Sequence, residues 1–251
     1  MKKKGKTLLI GASGNLGSAI TQSNLFNNLY CPTKKELNIE NRKQIKQYFK
    51  KNNFNLIINC AAMARMHECE MHPLKAIKTN IFGTMNLIKE IAKNQNKLNH
   101  KIRFIHISTD GVYPSLKGNY SENSLTKPYN IYGWTKLYSE LIVRTLSNYV
   151  VIRTRFFNKN SIKFHTAATD IFSSMMEVQT LVKAIKMISK KTFIGVVNVG
   201  EDRRSNFEAY KKFKKNIKPC KRKNVIKNLN FKLAKDASMN VSLFEKIKKV
   251  K

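Results

Sequence analysis

The stretch Leu8-Leu9-Ile10-Gly11-Ala12-Ser13-Gly14-Asn15-Leu16-Gly17, near the start of a chain of 251 residues, decides the fold. An apolar run ends at Ile10, three evenly spaced glycines follow, and an amphipathic pattern opens at Asn15. Glycines cluster in many turns, but this set lies between a strand pattern and a helix pattern, the context in which such a turn binds phosphate. There Gly11 permits the tight turn, Gly14 lets the backbone approach a pyrophosphate, and Gly17 lets helix and strand pack closely. The helix N-terminus offers unpaired N–H groups and the positive end of its dipole to the anion. The turn therefore reads as a dinucleotide site, with Gly11, Ser13, Gly14, Asn15, Leu16 and Gly17 around the phosphates.

Beyond the turn, strand-like runs at 7–10, 54–60, 102–108 and 149–153 are short and mostly apolar, as strands of a doubly covered parallel sheet are. A weaker run lies near 29–31. Helical patterns at 15–25, 42–51, 73–93 and 130–146 alternate with them; Pro73 suits a first helical turn, and Pro128 precedes the fourth helix. After Arg155 the alternation loosens into a helix at 175–189, a strand at 193–199, a helix at 206–215, a basic stretch at 218–223 and a last helix at 241–249. The pattern predicts an α/β protein with a Rossmann-type doubly wound parallel sheet. A dinucleotide-binding domain is expected over 1–155, with a small C-terminal α/β lobe over 156–251 completing the fold.

No apolar run approaches the ~18 residues of a membrane span. The basic start, Met1-Lys2-Lys3-Lys4, precedes an apolar stretch far shorter than the about 7–15 residues of a secretory leader, so none is expected. Cys31, Cys60, Cys69 and Cys220 have no paired spacing and read as free thiols of a cytoplasmic protein, with no metal site. The net charge of +33 comes from 48 Lys and Arg against 15 Asp and Glu. These cations are spread along the whole chain, and no zinc-finger, RRM or basic-zipper pattern accompanies them. They read as a solvated basic surface that steers small anions rather than as a nucleic-acid interface.

After the weak second strand stand Cys31-Pro32-Thr33-Lys34-Lys35, where an acid would hold the ribose of NAD. Two cations there suit a 2′-phosphate, which favours NADP(H), with Lys34 as the contact, and still allows NAD(H). The third main strand runs into Ser108-Thr109, and Tyr132 and Lys136 follow four residues apart on one helix face. A free phenol titrates near ~10, and a neighbouring ammonium lowers that value. Tyr132 then passes a proton to a carbonyl oxygen as hydride reaches its carbon, while Thr109, or Ser108 in its place, holds that oxygen.

The GxxGxxG spacing resembles the extended branch of the short-chain dehydrogenase/reductase superfamily. Ile107-Ser-Thr-Asp-Gly-Val-Tyr-Pro114, Tyr120-Ser-Glu122 and Pro128-Tyr-Asn-Ile-Tyr-Gly-Trp-Thr-Lys-Leu-Tyr-Ser-Glu140 are similar to the dTDP-4-dehydrorhamnose reductase family. So are Asn59-Cys-Ala-Ala62, Asn80-Ile-Phe-Gly-Thr-Met-Asn86, Arg153-Thr-Arg-Phe156 and, more thinly, Ala237-Ser-Met-Asn-Val-Ser-Leu243. The resemblance implies a reductase of a 4-keto-6-deoxy nucleotide sugar in surface polysaccharide or glycan synthesis, with a homodimer allowed. It implies Thr109, Tyr132 and Lys136 as the catalytic set, Lys136 also on the nicotinamide ribose, and Cys60, Ala61, Ala62 and Asn80 along the cofactor cleft. The connection 156–170 is shorter than in that family, which leaves Arg155 and Phe156, with Lys159, Lys163 and His165 beyond them, as candidates to touch substrate. Two alternatives stay open: an epimerase or dehydratase of the same superfamily, and a non-catalytic dinucleotide-binding regulatory subunit.

Overall fold

The computed structural model describes residues 5–98, 102–227, 229 and 231–250; the basic residues 1–4 lie outside them. Six strands form one parallel sheet: β1 (Thr7–Ile10), β2 (Leu29–Tyr30), β3 (Leu56–Asn59), β4 (Arg103–Thr109), β5 (Tyr149–Thr154) and, later in the chain, Gly195–Val199. The helices between them are α1 (Asn15–Gln22), α2 (Arg42–Lys51), α3 (Met66–Met71), α4 (Pro73–Ile77), α5 (Gly83–Leu98) and α6 (Ile131–Val143). Neighbouring strand residues face opposite layers. Leu9, Ile58, Ile105 and Ile152 pack with Ile20 of α1, whereas Leu8, Ile57, Phe104 and Val151 pack with Ile45 of α2 and Leu87 of α5. Burial on both faces explains why the strands read as continuous apolar runs.

The C-terminal part supplies β6 (Phe156–Phe157), β7 (Thr166–Ala168), β8 (Phe172–Ser173), β9 (Met176–Glu177), α7 (Val178–Ser189), β10 (Gly195–Val199), β11 (Arg204–Ser205), α8 (Asn206–Lys211), β12 (Lys218–Cys220), α9 (Arg222–Ile226) and α10 (Ser242–Lys249). The sheet order is β10-β5-β4-β3-β1-β2, with every neighbouring pair parallel. The chain therefore steps one way from β1 to β2 and the other way to β3. A crevice opens at such a reversal, outside the carboxyl ends of the strands, and ligands of this fold class bind there. Among the described residues no helix is long and apolar enough to cross a membrane.

The structure departs from the sequence reading in several places. The expected helix at 73–93 is three pieces, because a π-helical turn, Lys78–Phe82, separates α4 from α5. α3 was not expected; it spans six residues and buries one, Cys69, too little to show a period. The helix expected from 175 begins at Val178, where the Glu177 side chain accepts from the Gln179 N–H. The connection 156–170 is ordered by pairing: β6 runs beside β9, and β7 beside β12, which is the first half of the basic stretch. Strands of two or three residues carry no alternation to read.

One polar cluster crosses this core. Glu140 of α6 is fully buried and accepts from Nε and Nη2 of Arg153 on β5, at 3.1 and 2.7 Å. It also accepts the Ser108 hydroxyl at the end of β4. Removing one member of such a pair leaves an unpaired buried charge, at about 3–5 kcal/mol. Glu140→Gln should lower the unfolding free energy by that amount in urea titrations, and Glu140→Leu combined with Arg153→Met should lose less.

Candidate active site

Gly11 has φ +83°, and a Cβ on it would stand 2.6 Å from the Ala61 nitrogen. A Cβ on Gly17 would run into the Gly11 carbonyl. Gly14 differs. It heads α1 with no side-chain cap, its N–H donates to the Gly11 carbonyl at 3.1 Å, and a Cβ there would meet only that carbonyl, at 3.5 Å. Packing within the protein accounts for the first and third glycines but not for the second, which faces open cleft. A pyrophosphate resting on the head of α1 would fill that space.

The cleft has two hollows that meet at Gly14, Cys60 and Ala62. The first, of about 350 Å³, is walled by Gly11 to Gly14, Cys31 to Lys34, Leu37, Ile39, Glu40, Cys60 to Ala62 and Thr79. Lys34 reaches along this wall, its Nζ 3.7 Å from Glu40 Oε1. Lys35 is not on it; its carbonyl accepts from Gln44 Nε2 at 3.3 Å. Glu40 was missed by sequence reasoning. Amide bonds from Glu36 and Leu37 back to the Thr33 carbonyl fold the chain over, and Glu40 returns to the cleft well beyond the place where an acid was sought. The Thr79 hydroxyl donates to it at 2.7 Å and Lys78 lies 3.9 Å away.

The second hollow, of about 360 Å³, gathers Asn15, Leu16, Gly17, Ser108, Thr109, Tyr132, Lys136, Arg155 and Phe156, and adds Asp110 and Thr154. Thr109 ends β4, and its Oγ1 accepts from the Gly111 N–H at 3.1 Å. α6 starts where Asn130 Oδ1 accepts from the Gly133 N–H at 2.8 Å and Glu70 Oε1 accepts from the Ile131 N–H at 2.8 Å. That start aims Tyr132 and Lys136, one turn apart, at the end of β4. Arg155 Nε lies 2.8 Å from Asp110 Oδ2.

Burial pushes the Tyr132 phenol above its ordinary value, the Asp110 carboxylate adds to the rise, and a hydrogen bond with Thr109 opposes it. The expected lowering by Lys136 is absent from this arrangement. The Lys136 amine is turned 3.1 Å from His106 Nε2, and burial lowers it to about 8 against the opposing pull of Glu140 and Cys60. Burial also pushes the Cys60 thiol up to about 12, so it is no nucleophile at neutral pH. Ser108 lines the hollow, but its proton goes to Glu140. Asn80 lies beneath the cleft, where its amide holds both backbone groups of Met63 and the Thr135 hydroxyl. Lys159, Lys163 and His165 line neither hollow. Among the described residues no cluster of three His, Cys, Asp or Glu could hold a metal.

A doubly wound parallel sheet with a glycine turn at its reversal point, facing a hydroxyl, a phenol and an amine, defines a Rossmann-type α/β protein of the dinucleotide-binding class. Within that class the chain belongs to the RmlD substrate binding domain family, whose model matches residues 5–192. It is 28% identical over 154 residues to the dTDP-4-dehydrorhamnose reductase of Aggregatibacter actinomycetemcomitans, covering 59% of this chain and 50% of that protein. It is 29% identical over 147 residues to methionine adenosyltransferase 2 subunit beta of Bos taurus, covering 55% of this chain and 42% of that one. The chain spans about half the length of the curated relatives it matches. Its fold is that of the dTDP-4-dehydrorhamnose reductase of Bacillus anthracis str. Ames, solved in complex with NADP. The TM-score is 0.83 at 22% identity, over 98% of this chain and 92% of that one.

The contrast among the glycines is testable. Gly14→Ala should keep the thermal unfolding midpoint close to wild type and remove NADPH binding in a fluorescence titration. Gly17→Ala, which forces backbone apart, should lower the midpoint itself.

Proposed function

We propose that the chain is an NADPH-dependent reductase of a nucleotide-linked 4-keto-6-deoxy sugar, with NADH as the weaker alternative. The observation that carries this reading is the single cleft in which the open glycine turn and the Thr109, Tyr132 and Lys136 side chains share a wall. The relative from Aggregatibacter actinomycetemcomitans, named as a dTDP-4-dehydrorhamnose reductase, supports the substrate class. Residues 1–155 would bind the dinucleotide and residues 156–251 would complete the substrate side. Four free thiols support a cytoplasmic place.

The cofactor supplies hydride when bound. Gly11, Ser13 and Gly14 would take its phosphates with the head of α1, Lys34 its 2′-phosphate, and Lys136 its nicotinamide ribose. Thr109 would hold the substrate's carbonyl oxygen. Tyr132 gives that oxygen a proton, which suits a phenol that burial keeps protonated. Arg155 and Phe156, which line the same hollow, would face the substrate. The Asp110 partner of Arg155 makes the wall less cationic than the +33 of the whole chain would suggest. The likeness to methionine adenosyltransferase 2 subunit beta favours one other reading, a dinucleotide-binding regulatory subunit.

Oxidation of NADPH with dTDP- and UDP-linked 4-keto-6-deoxyglucose separates the two readings. Turnover with either substrate supports the reductase, and tight NADPH binding with no turnover on any 4-keto sugar nucleotide supports the regulator. Tyr132→Phe should cut turnover by roughly 10²–10⁴ with cofactor affinity little changed. The basic surface gives a further check: binding to duplex DNA should be independent of sequence and vanish between low and physiological salt.

A further inference from the structure

Lys136 is 2% exposed, and the His106 ring against which its amine lies is fully buried on β4. The donors and acceptors around that ring follow from the chemistry of its neighbours. The Ala61 N–H can only donate, and it meets the Asn59 side chain at 3.1 Å, so the atom it meets is the amide oxygen. The other end of that amide, Nδ2, carries hydrogens only and faces His106 Nδ1 at 3.3 Å. Nδ1 must accept, and in a neutral ring the proton is then on Nε2. Ser139 fits the same assignment. Its hydroxyl donates to the Lys136 carbonyl at 2.7 Å, which leaves its oxygen, 2.9 Å from Nε2, able only to accept from Nε2–H, a single proton that it shares with the Lys136 nitrogen at 3.1 Å.

An ammonium carries three donors and no lone pair, so against Nε2–H it finds nothing to bind; an uncharged amine offers a lone pair to that proton. We propose that His106 is a positioning residue that sorts Lys136 by charge, its Nε2–H holding the uncharged amine and turning the ammonium out towards Tyr132 and a bound dinucleotide. The second half of this rests on the reading of the cleft as a dinucleotide site. The groups that bear on the amine are Cys60 after β3, His106 on β4 and Glu140 on α6. Burial dominates and brings Lys136 to about 8, a value at which both states matter near neutral pH. It also holds His106 well below its ordinary value, so the ring stays neutral. Binding that engages the ammonium raises the lysine's proton affinity. Above pH 8 the free protein holds an amine and the bound protein an ammonium, so one proton enters on binding. Well below pH 8 both are charged and none enters.

The test uses lysine labelled with ¹³C at Cε, followed by NMR across pH in the full chain, with Lys136→Arg identifying the signal. One lysine should titrate near 8, and in His106→Gln, whose amide oxygen accepts from an ammonium, its midpoint should rise by at least about one pH unit, tenfold in proton affinity. Calorimetric titration with NADPH at about pH 9, in two buffers of different ionisation enthalpy, should show about one proton taken up by wild type and no more than about half of that by His106→Gln. A Lys136 midpoint near the ordinary ~10.4, or one that His106→Gln leaves unmoved, overturns the proposal. Ring ¹⁵N shifts of wild type need no variant: the His106 ring should carry its proton on Nε2 at every pH, and a proton on Nδ1 overturns the assignment. A chain that binds no NADPH yet shows the low lysine midpoint and the Nε2–H ring refutes the dinucleotide reading and leaves the sorting of Lys136 standing.

Discussion

Glu140 lies one helical turn beyond Lys136, and side chains four apart on a helix share a face. Because the Glu140 carboxylate is bound to Arg153 of β5 and to the Ser108 hydroxyl of β4, the rotation of α6 about its own axis is set. With that rotation Lys136 meets His106, and Tyr132 meets the end of β4. Arg153 continues the chain of contacts: Nη1 donates to the Tyr113 hydroxyl at 2.8 Å, and that hydroxyl donates to Asn198 Oδ1 on β10 at 2.9 Å. Three sheet strands, α6 and the loop after β4 are thus held by one buried carboxylate. Burying two charges costs about as much desolvation as their attraction returns, so the gain from such a pair lies in orientation more than in net stability. Rotation of α6 by one residue would leave Arg153 unpaired, and this penalty removes competing arrangements of the site.

The opposite end of the site depends on absence rather than contact. Nothing in the protein crowds Gly14, whereas Gly11 and Gly17 are hemmed in by backbone. The turn therefore has its shape before any ligand arrives, and the uncapped head of α1 needs no rearrangement to meet an anion. The adenosine side is less simple. Glu40 draws Lys34, Lys78 and the Thr79 hydroxyl into one group, so a 2′-phosphate approaching Lys34 also approaches a carboxylate. On the reading of this cleft as a dinucleotide site, selectivity between the two dinucleotides would depend on that balance and not on a count of lysines.

What could be read from the sequence was what is local in the chain. The strand–turn–helix unit and the Tyr132–Lys136 spacing fall within single elements, and the strands of the sheet announced themselves because both their faces are apolar. Partners that meet across the fold had no signal. His106 and Lys136 stand thirty residues apart, and only the packing of α6 on β4 joins them. Glu40 gave no signal because the turn after Thr33 lengthens the path back to the cleft. β6 to β9 are too short for alternation, and α3 for a helical stripe. The π turn at Lys78–Phe82 gives no compositional sign, yet it carries Asn80, which ties the loop after β3 to α6.

The electrostatics of the hollow around Tyr132 favour one direction of proton movement. While the uncharged Lys136 amine is turned to His106, desolvation and the Asp110 carboxylate oppose a phenolate at Tyr132, and Arg155 is the cation that works against them. A phenol held protonated is poised to give a proton to a developing alkoxide, the need of a reductase. Oxidation of an alcohol would instead require the phenolate. Arg155 moderates the effect by pairing with Asp110 at 2.8 Å, and burial raises Asp110 even so, which brings its neutral form closer to reach. The resting charge of the hollow thus depends on the Arg155–Asp110 pair as much as on Lys136. A substrate group that drew Arg155 away would strengthen the field of Asp110 on Tyr132 and hold the phenol's proton more tightly.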